Sequence, residues 1–150
     1  MFKLLLGTNA GWGMLVLRLG LGIVFFAHGS QKVMGWFGGP GLTAAYNMFV
    51  GMGIPGVFAA LDIIAEFFGA IGLILGFLTR VAALGIAVVM VVAVAMVHWP
   101  IGFFMNWFGK MPAGAEGFEY HILAFSIALA LVIEGGGRLS LDRAIAGGKP

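Results

Sequence analysis

Four long apolar segments limit what this chain can fold into more than any other feature of its sequence. They cover about 12–33, 57–78, 81–97 and 118–133. A helix needs about 20 apolar residues to cross about 30 Å of hydrocarbon, so these lengths favour membrane spans. The second and third segments are nearly continuous, and one helix over both would be about 60 Å long. We therefore expect the chain to turn at 77–80.

The scarcity of charged residues excludes a water-facing surface. Only 9% of the 150 residues are charged and 61% are hydrophobic, whereas about 25% of an ordinary soluble domain is charged. The net charge of +2 comes from scattered basic residues and not from a basic stripe. The composition therefore excludes a soluble enzyme domain, a disordered chain and a nucleic-acid binder. The absence of cysteine also excludes thiol chemistry by this chain.

The distribution of lysine and arginine predicts how the spans are oriented. Five basic residues fall on one side of the four spans and two on the other, and the richer side should be cytoplasmic. We therefore predict an all-α integral membrane four-helix bundle of two transmembrane hairpins, forming one domain over 1–150. Both termini would be cytoplasmic, in a bacterial-type inner (plasma) membrane. The five are Lys3, Arg80, Arg138, Arg143 and Lys149, and the two are Lys32 and Lys110.

The first outer loop, about 34–56, carries a helical pattern of its own. Leu42, Tyr46, Phe49 and Val50 recur at i, i+4, i+7 and i+8. This spacing places them on one face of a helix. We expect a short helix lying on the membrane surface.

Polar side chains inside apolar spans are the best indication of a site, because each costs roughly 2.5–3.5 kcal/mol on insertion scales. Asp62 and Glu66 are four residues apart in the second span, which places them on one helix face. Arg18 and Glu66 lie at a similar depth, so we predict a structural ion pair between the first two spans. A second interpretation stays open beside the ion pair. In it Glu66 or Asp62 exchanges protons with a redox ligand, and Arg18 adjusts the pKa of that carboxyl.

Three histidines, His28, His98 and His121, fall near the outer ends of the spans. An imidazole that donates a hydrogen bond and moves a proton at neutral pH suits a quinone carbonyl. Haem ligation by two of them, a metal site that includes Glu119, and interfacial histidines satisfied by loop carbonyls are the alternatives. Neither HxxxH nor HExxH spacing occurs, so no metal site is predicted and haem is not expected.

Several motifs occur together along nearly the whole chain, and in combination they resemble the DoxX family signature. The resemblance implies a small four-helix inner-membrane protein. Its relatives include a subunit of thiosulfate:quinone oxidoreductase and proteins linked to quinone or catechol resistance. The motifs are Arg18-Leu19-Gly20-Leu21-Gly22, His28-Gly29-Ser30-Gln31-Lys32, Gly35-Trp36-Phe37-Gly38-Gly39-Pro40-Gly41, Glu66, Leu78-Thr79-Arg80, His98, Gly102-Phe103-Phe104-Met105-Asn106, Glu119-Tyr120 and Gly137-Arg138-Leu139-Ser140-Leu141-Asp142-Arg143.

Two functions follow from these residues and the resemblance. The first is a quinone-interacting oxidoreductase or redox-complex subunit, with a polar site in the outer half of the bundle and no covalent cofactor. Its catalytic residues would be Glu66, His28 and Asp62. Its quinone-binding residues would be His28, Gln31, Lys32, His98, Asn106, Trp36 and Glu119.

The second function is a non-catalytic accessory subunit of a larger membrane complex, in which the polar residues only lock helices together. In either case the partners are the lipid bilayer and other membrane subunits or further copies of the chain. Polar residues that converge on an open cavity would favour the first function. Closed pairs would favour the second.

Overall fold

The computed structural model describes residues 5–9, 11–112 and 114–147, and this part of the chain is all-helical, without a strand. The basic residues Lys3 and Lys149, used to predict the orientation, lie outside the described residues. The helices are α1 (Trp12–Met34), α2 (Leu42–Gly51), α3 (Gly56–Leu75), α4 (Thr79–His98), α5 (Glu119–Glu134) and α6 (Leu141–Ile145).

A helix lies at each of the four predicted spans. Helices α1, α3 and α4 are long and apolar enough to cross a membrane, whereas α5 has 16 residues. The helix predicted in the first outer loop is confirmed as α2. The turn before α4 begins slightly earlier than predicted, because Gly76 ends α3 with φ 66° and Leu78 also adopts a left-handed φ of 48°. A left-handed residue is a common way to end a helix.

Helices α1 and α3 approach each other closely because two glycines of α1 face α3. A Cβ at Gly29 would lie 2.6 Å from Cα of Phe67, and one at Gly22 would lie 2.9 Å from Cγ1 of Ile74. The two glycines are seven residues apart and so share a helix face. Small residues at such an interface let membrane helices pack backbone to backbone. Because Gly22 lies opposite Ile74 and Gly29 lies opposite Phe67, α1 and α3 run antiparallel.

The four long helices share one core and define two ends of the bundle. Trp99, after α4, stacks on Phe118, before α5, at 5.5 Å between ring centroids, so these two helices are antiparallel as well. We call the end with Lys32, His98 and His121 the histidine end, and the opposite end, with Arg18, the arginine end. The core side chains include Leu21, Phe25, Leu73, Ala83, Ile86, Met90, Ala124, Ala128 and Leu131.

Candidate functional site

Arg18 is buried at the arginine end, where its guanidinium binds only backbone carbonyls. Its Nη1 donates to the carbonyls of Leu73 at 3.0 Å and Ile74 at 2.6 Å. Its Nε donates to Gly136 at 2.9 Å, and Nη2 donates to Leu139 at 2.7 Å. The last carbonyls of a helix have no partner within the helix and carry partial negative charge. Arg18 therefore caps the end of α3 and ties it to the segment after α5.

The predicted ion pair between Arg18 and Glu66 is wrong. The Glu66 carboxylate contacts Lys32, and Arg18 binds carbonyls seven and eight residues further along α3, about 10 Å away along the helix axis. By residue count from the ends of the predicted spans, Arg18 and Glu66 lie at the same depth in the membrane. The carbonyls of Leu73 and Ile74 at the end of α3 offered the guanidinium closer acceptors.

Two more charged side chains of the arginine end are bound in the same closed way. The buried Asp142 accepts hydrogen bonds from the backbone N–H groups of Leu78 at 2.7 Å and Thr79 at 2.8 Å, where α4 begins. Arg80 donates to the carbonyls of Val132 and Ile133 at the end of α5. A carboxylate at a helix start and a guanidinium at a helix end both complement the helix dipole. In the sequence Asp142 stood out only as part of the motif at 137–143, and no role was predicted for it.

At the histidine end, Lys32 lies between two carboxylates of α3. Its Nζ is 3.2 Å from Oδ2 of Asp62 and 2.6 Å from Oε2 of Glu66. We call these three residues the lysine cluster. The Nζ also lies 4.8 Å from the centre of the Phe49 ring of α2. The structure thus brings together one predicted quinone-binding residue and two predicted catalytic residues.

The surroundings of the lysine cluster contain polar atoms without partners. Ser30 Oγ, Glu66 Oε2 and Tyr120 Oη are buried and make no hydrogen bond with a described residue. Oε2 of Glu66 nevertheless lies 2.6 Å from Nζ of Lys32, so its charge is paired. Buried polar groups usually have a partner, and the exceptions are often at sites that bind water, ions or ligands.

His98 and His121 form a second polar group at the same end. Their ring centroids are 4.0 Å apart. Nδ1 of His98 donates to the carbonyl of Glu116 at 2.6 Å, because a carbonyl can only accept. His121 is 8% exposed, and its Nδ1 makes no hydrogen bond with a described residue. His121 was noted in the sequence but was left out of the predicted site, because no motif or spacing singled it out.

The other predicted site residues are not part of the lysine cluster, although His28 lies one helical turn from Lys32 and interacts electrostatically with it. His28 is exposed on α1, beside Phe25. Gln31 reaches the carbonyl of Phe37 at 3.4 Å, and Trp36 is exposed in the same loop.

Asn106 and Glu119 hold the loop before α5 in shape. The Asn106 side chain forms two hydrogen bonds with the backbone of Met111, each 3.0 Å long. Glu119 accepts from the backbone of Met105 at 3.0 Å and from the indole of Trp107 at 2.5 Å. Within the described ranges, His, Cys, Asp and Glu side chains form no group of three or more that could hold a metal ion.

A family model and individual relatives match this chain. The family model described as DoxX matches residues 13–99, which is more than half of the chain. The chain is 31% identical over 137 residues to "Putative oxidoreductase CatD" of Bacillus subtilis (strain 168), covering 91% of this chain and 90% of that protein. It is 39% identical over 72 residues to "Inner membrane protein YqjF" of Escherichia coli (strain K12), about half of each chain. No solved structure matches the chain.

Proposed function

The chain belongs to the DoxX family of membrane proteins, and from this premise we propose that it takes part in quinone-linked redox chemistry, as an oxidoreductase or as a subunit of a redox complex. One relative carries the words oxidoreductase in its name and another the words inner membrane. We place this chain in a bacterial-type inner membrane with four crossings and cytoplasmic termini. The separation of Arg80, Arg138 and Arg143 from Lys32 and Lys110 supports that orientation.

The observation that carries this proposal is the charge of the lysine cluster. One ammonium faces two carboxylates, so the fully ionised cluster has a net charge of −1. A net charge among apolar helices is costly, and one bound proton removes it. The cluster therefore has the composition of a group that takes up and releases a proton, as the reduction of a quinone requires.

In this proposal the chain supplies protons and position, and a partner supplies electrons. Reduction of a quinone to a quinol consumes two electrons and two protons. The sequence has no cysteine, so the electrons come from a reduced partner subunit or a soluble reductant. Glu66 and Asp62 deliver protons, and Lys32 holds the two carboxylates at one place. Tyr120 interacts electrostatically with Glu66, and its ring contacts that of His121 at 5.6 Å between centroids.

A non-catalytic accessory subunit is the second candidate, and one observation favours it. The loop before α5 presents three strongly exposed aromatic side chains, Phe104 at 70%, Trp107 at 75% and Phe108 at 86%. Exposed aromatic groups of this kind suit either the headgroup region of a bilayer or the surface of another subunit.

Native mass spectrometry of the protein, extracted from its own membrane in mild detergent, separates the two candidates. We expect a quinone-sized adduct on the chain. A partner polypeptide at fixed stoichiometry without any quinone on this chain would instead support the accessory role.

Quinone reduction in membranes from a strain that carries only the variant tests the residues. For Glu66→Gln we expect a loss of the rate by about 100-fold, the size of a general acid–base contribution. Ser126→Ala is the control, because its hydroxyl bonds only the carbonyl of Ile122 in its own helix. An unchanged rate in a Glu66→Gln, Asp62→Asn double variant would refute the proton role.

A further inference from the structure

A groove between α4 and α5 lies beside His121, outside the lysine cluster. Its volume is about 510 Å³, within the range of about 300–1,000 Å³ that is usual for small-molecule sites. It contains no charged side chain, and His121 is its single imidazole. The lining residues are Met90, Val91, Val94, Ala95, Trp99, His121, Ile122 and Phe125.

The shape of α4 contributes to this groove. The last turn of α4, Val94–His98, is a π-helix, in which the N–H of Trp99 donates to the carbonyl of Val94 at 2.8 Å. A π-turn inserts a residue into a helix and often marks a functional site. Val94 and Ala95 of this turn line the groove, and Trp99 follows it directly.

The buried imidazole of His121 and the indole of Trp99 are the two side-chain groups of the groove that carry a polar nitrogen. His121 is enclosed, with 8% of its surface exposed, and makes no hydrogen bond with a described residue. The ring of His98, anchored on the Glu116 carbonyl, packs against it at 4.0 Å between centroids. A buried imidazole without a partner loses the hydrogen bonds it would make in water. Nδ1 of His121 is closed to the groove, so a ligand oxygen in the groove would meet the other ring nitrogen, Nε2.

We infer that this groove binds the ring of a quinone or quinol, with His121 hydrogen-bonded to one ring oxygen and Trp99 and Phe125 contacting its faces. The inference rests on the proposed function and names where its ligand sits. The lining fits a neutral, flat ligand with one hydrogen-bonding oxygen, because a charged ligand would meet no opposite charge there. His98 is a positioning residue that holds the His121 ring.

The test uses the full-length protein in detergent and a short-chain ubiquinone that carries an aryl azide as the probe. Equilibrium binding is measured first, and photolabelling followed by peptide mapping then locates the ring. His121→Leu removes the hydrogen bond at similar volume, and Val91→Trp fills the groove. Leu84→Trp is the matched control, because Leu84 is an exposed apolar residue of α4 that does not line the groove.

We expect labelling within 90–99 or 121–125 in the wild type. His121→Leu should weaken binding about tenfold, the loss of roughly one hydrogen bond. Val91→Trp should abolish the labelling, and Leu84→Trp should leave both measurements unchanged. A His98→Gln variant should weaken binding less than His121→Leu does, since His98 acts through the His121 ring.

Two results would overturn the inference in different ways. If the probe binds the wild type but labels other segments, and the affinity of His121→Leu equals that of the wild type, the groove is not the site and the proposed function stands. If the probe binds neither the wild type nor Val91→Trp above background, while an azido-phospholipid labels the groove, the groove holds a lipid and both proposals fail.

Discussion

The two ends of this bundle bury charged side chains in opposite ways. At the arginine end, Arg18 and Asp142 bind backbone groups at helix ends, and each is 1% exposed. At the histidine end, Lys32 is shared by two carboxylates, and the buried Nδ1 of His121 and Oη of Tyr120 have no hydrogen-bond partner among the described residues. Saturated groups stabilise a fold, whereas unsaturated groups cost stability and persist where a function needs them.

The comparison assigns different roles to polar residues that look alike in the sequence. At the arginine end the charged side chains bind backbone groups and so lock helices together. The exception among the described polar groups is the buried hydroxyl of Thr79, which has no hydrogen-bond partner there. At the histidine end one histidine, His121, lines a groove, while Lys32, Asp62 and Glu66 form an ion-paired cluster outside that groove. Changes at the arginine end should therefore reduce stability, and changes at the histidine end should mainly reduce function.

The largest effect is expected for Arg18→Ala. Removing this side chain takes away the donor bound to the carbonyls of Ile74, Gly136 and Leu139. Breaking a buried charged network typically costs about 3–5 kcal/mol. The thermal midpoint in detergent, followed by size-exclusion chromatography, should fall sharply. A midpoint equal to that of the Ser126→Ala variant would show that the arginine end is not a structural lock.

The next largest effect is expected for Gly29→Ala, which alters packing at the histidine end. The new Cβ would lie 2.6 Å from Cα of Phe67, so α1 must move away from α3. Overpacking of this kind costs about 1–3 kcal/mol, and it should also separate Lys32 from its carboxylates. Gly20→Ala is the matched control, because a Cβ there meets nothing within 4 Å. Equal thermal midpoints for the two variants would contradict the close approach of α1 and α3.

A smaller loss is expected for Asp142→Asn. The amide keeps one acceptor oxygen but loses the second, so either Leu78 or Thr79 loses a partner for its N–H. We expect a loss of about 1–2 kcal/mol in the free energy of unfolding. Denaturation by a graded detergent mixture measures it. The interpretation fails if quinone reduction falls while the unfolding curve does not change.

The smallest change in stability is expected for Glu66→Gln. The substitution removes one of two negative charges that share a single ammonium and keeps the side-chain volume, so the unfolding free energy should change by less than about 1 kcal/mol. Quinone reduction should nevertheless be lost, as proposed above. A Glu66→Gln variant that unfolds as readily as Arg18→Ala would remove the distinction between the two ends.

Much of the architecture could be predicted from the sequence because hydrophobic length is a local property. The four apolar segments gave four helices with ends within about three residues of those observed, and the spacing of Leu42, Tyr46, Phe49 and Val50 gave α2. The pairing of Asp62 with Glu66 on one face followed from the helical repeat. Each of these needs only the lipid solvent and the period of a helix.

Only the tertiary structure decided which polar groups meet. Lys32 reaches Asp62 and Glu66 because Gly22 and Gly29 let two helices approach, and Arg18 binds carbonyls that no side-chain motif could reveal. The position of His121, beside His98 and at the groove, depends on how α5 is rotated against α4. A sequence fixes how deep a residue lies along its own helix, but helix rotation and the height of one helix against another arise from packing between distant segments.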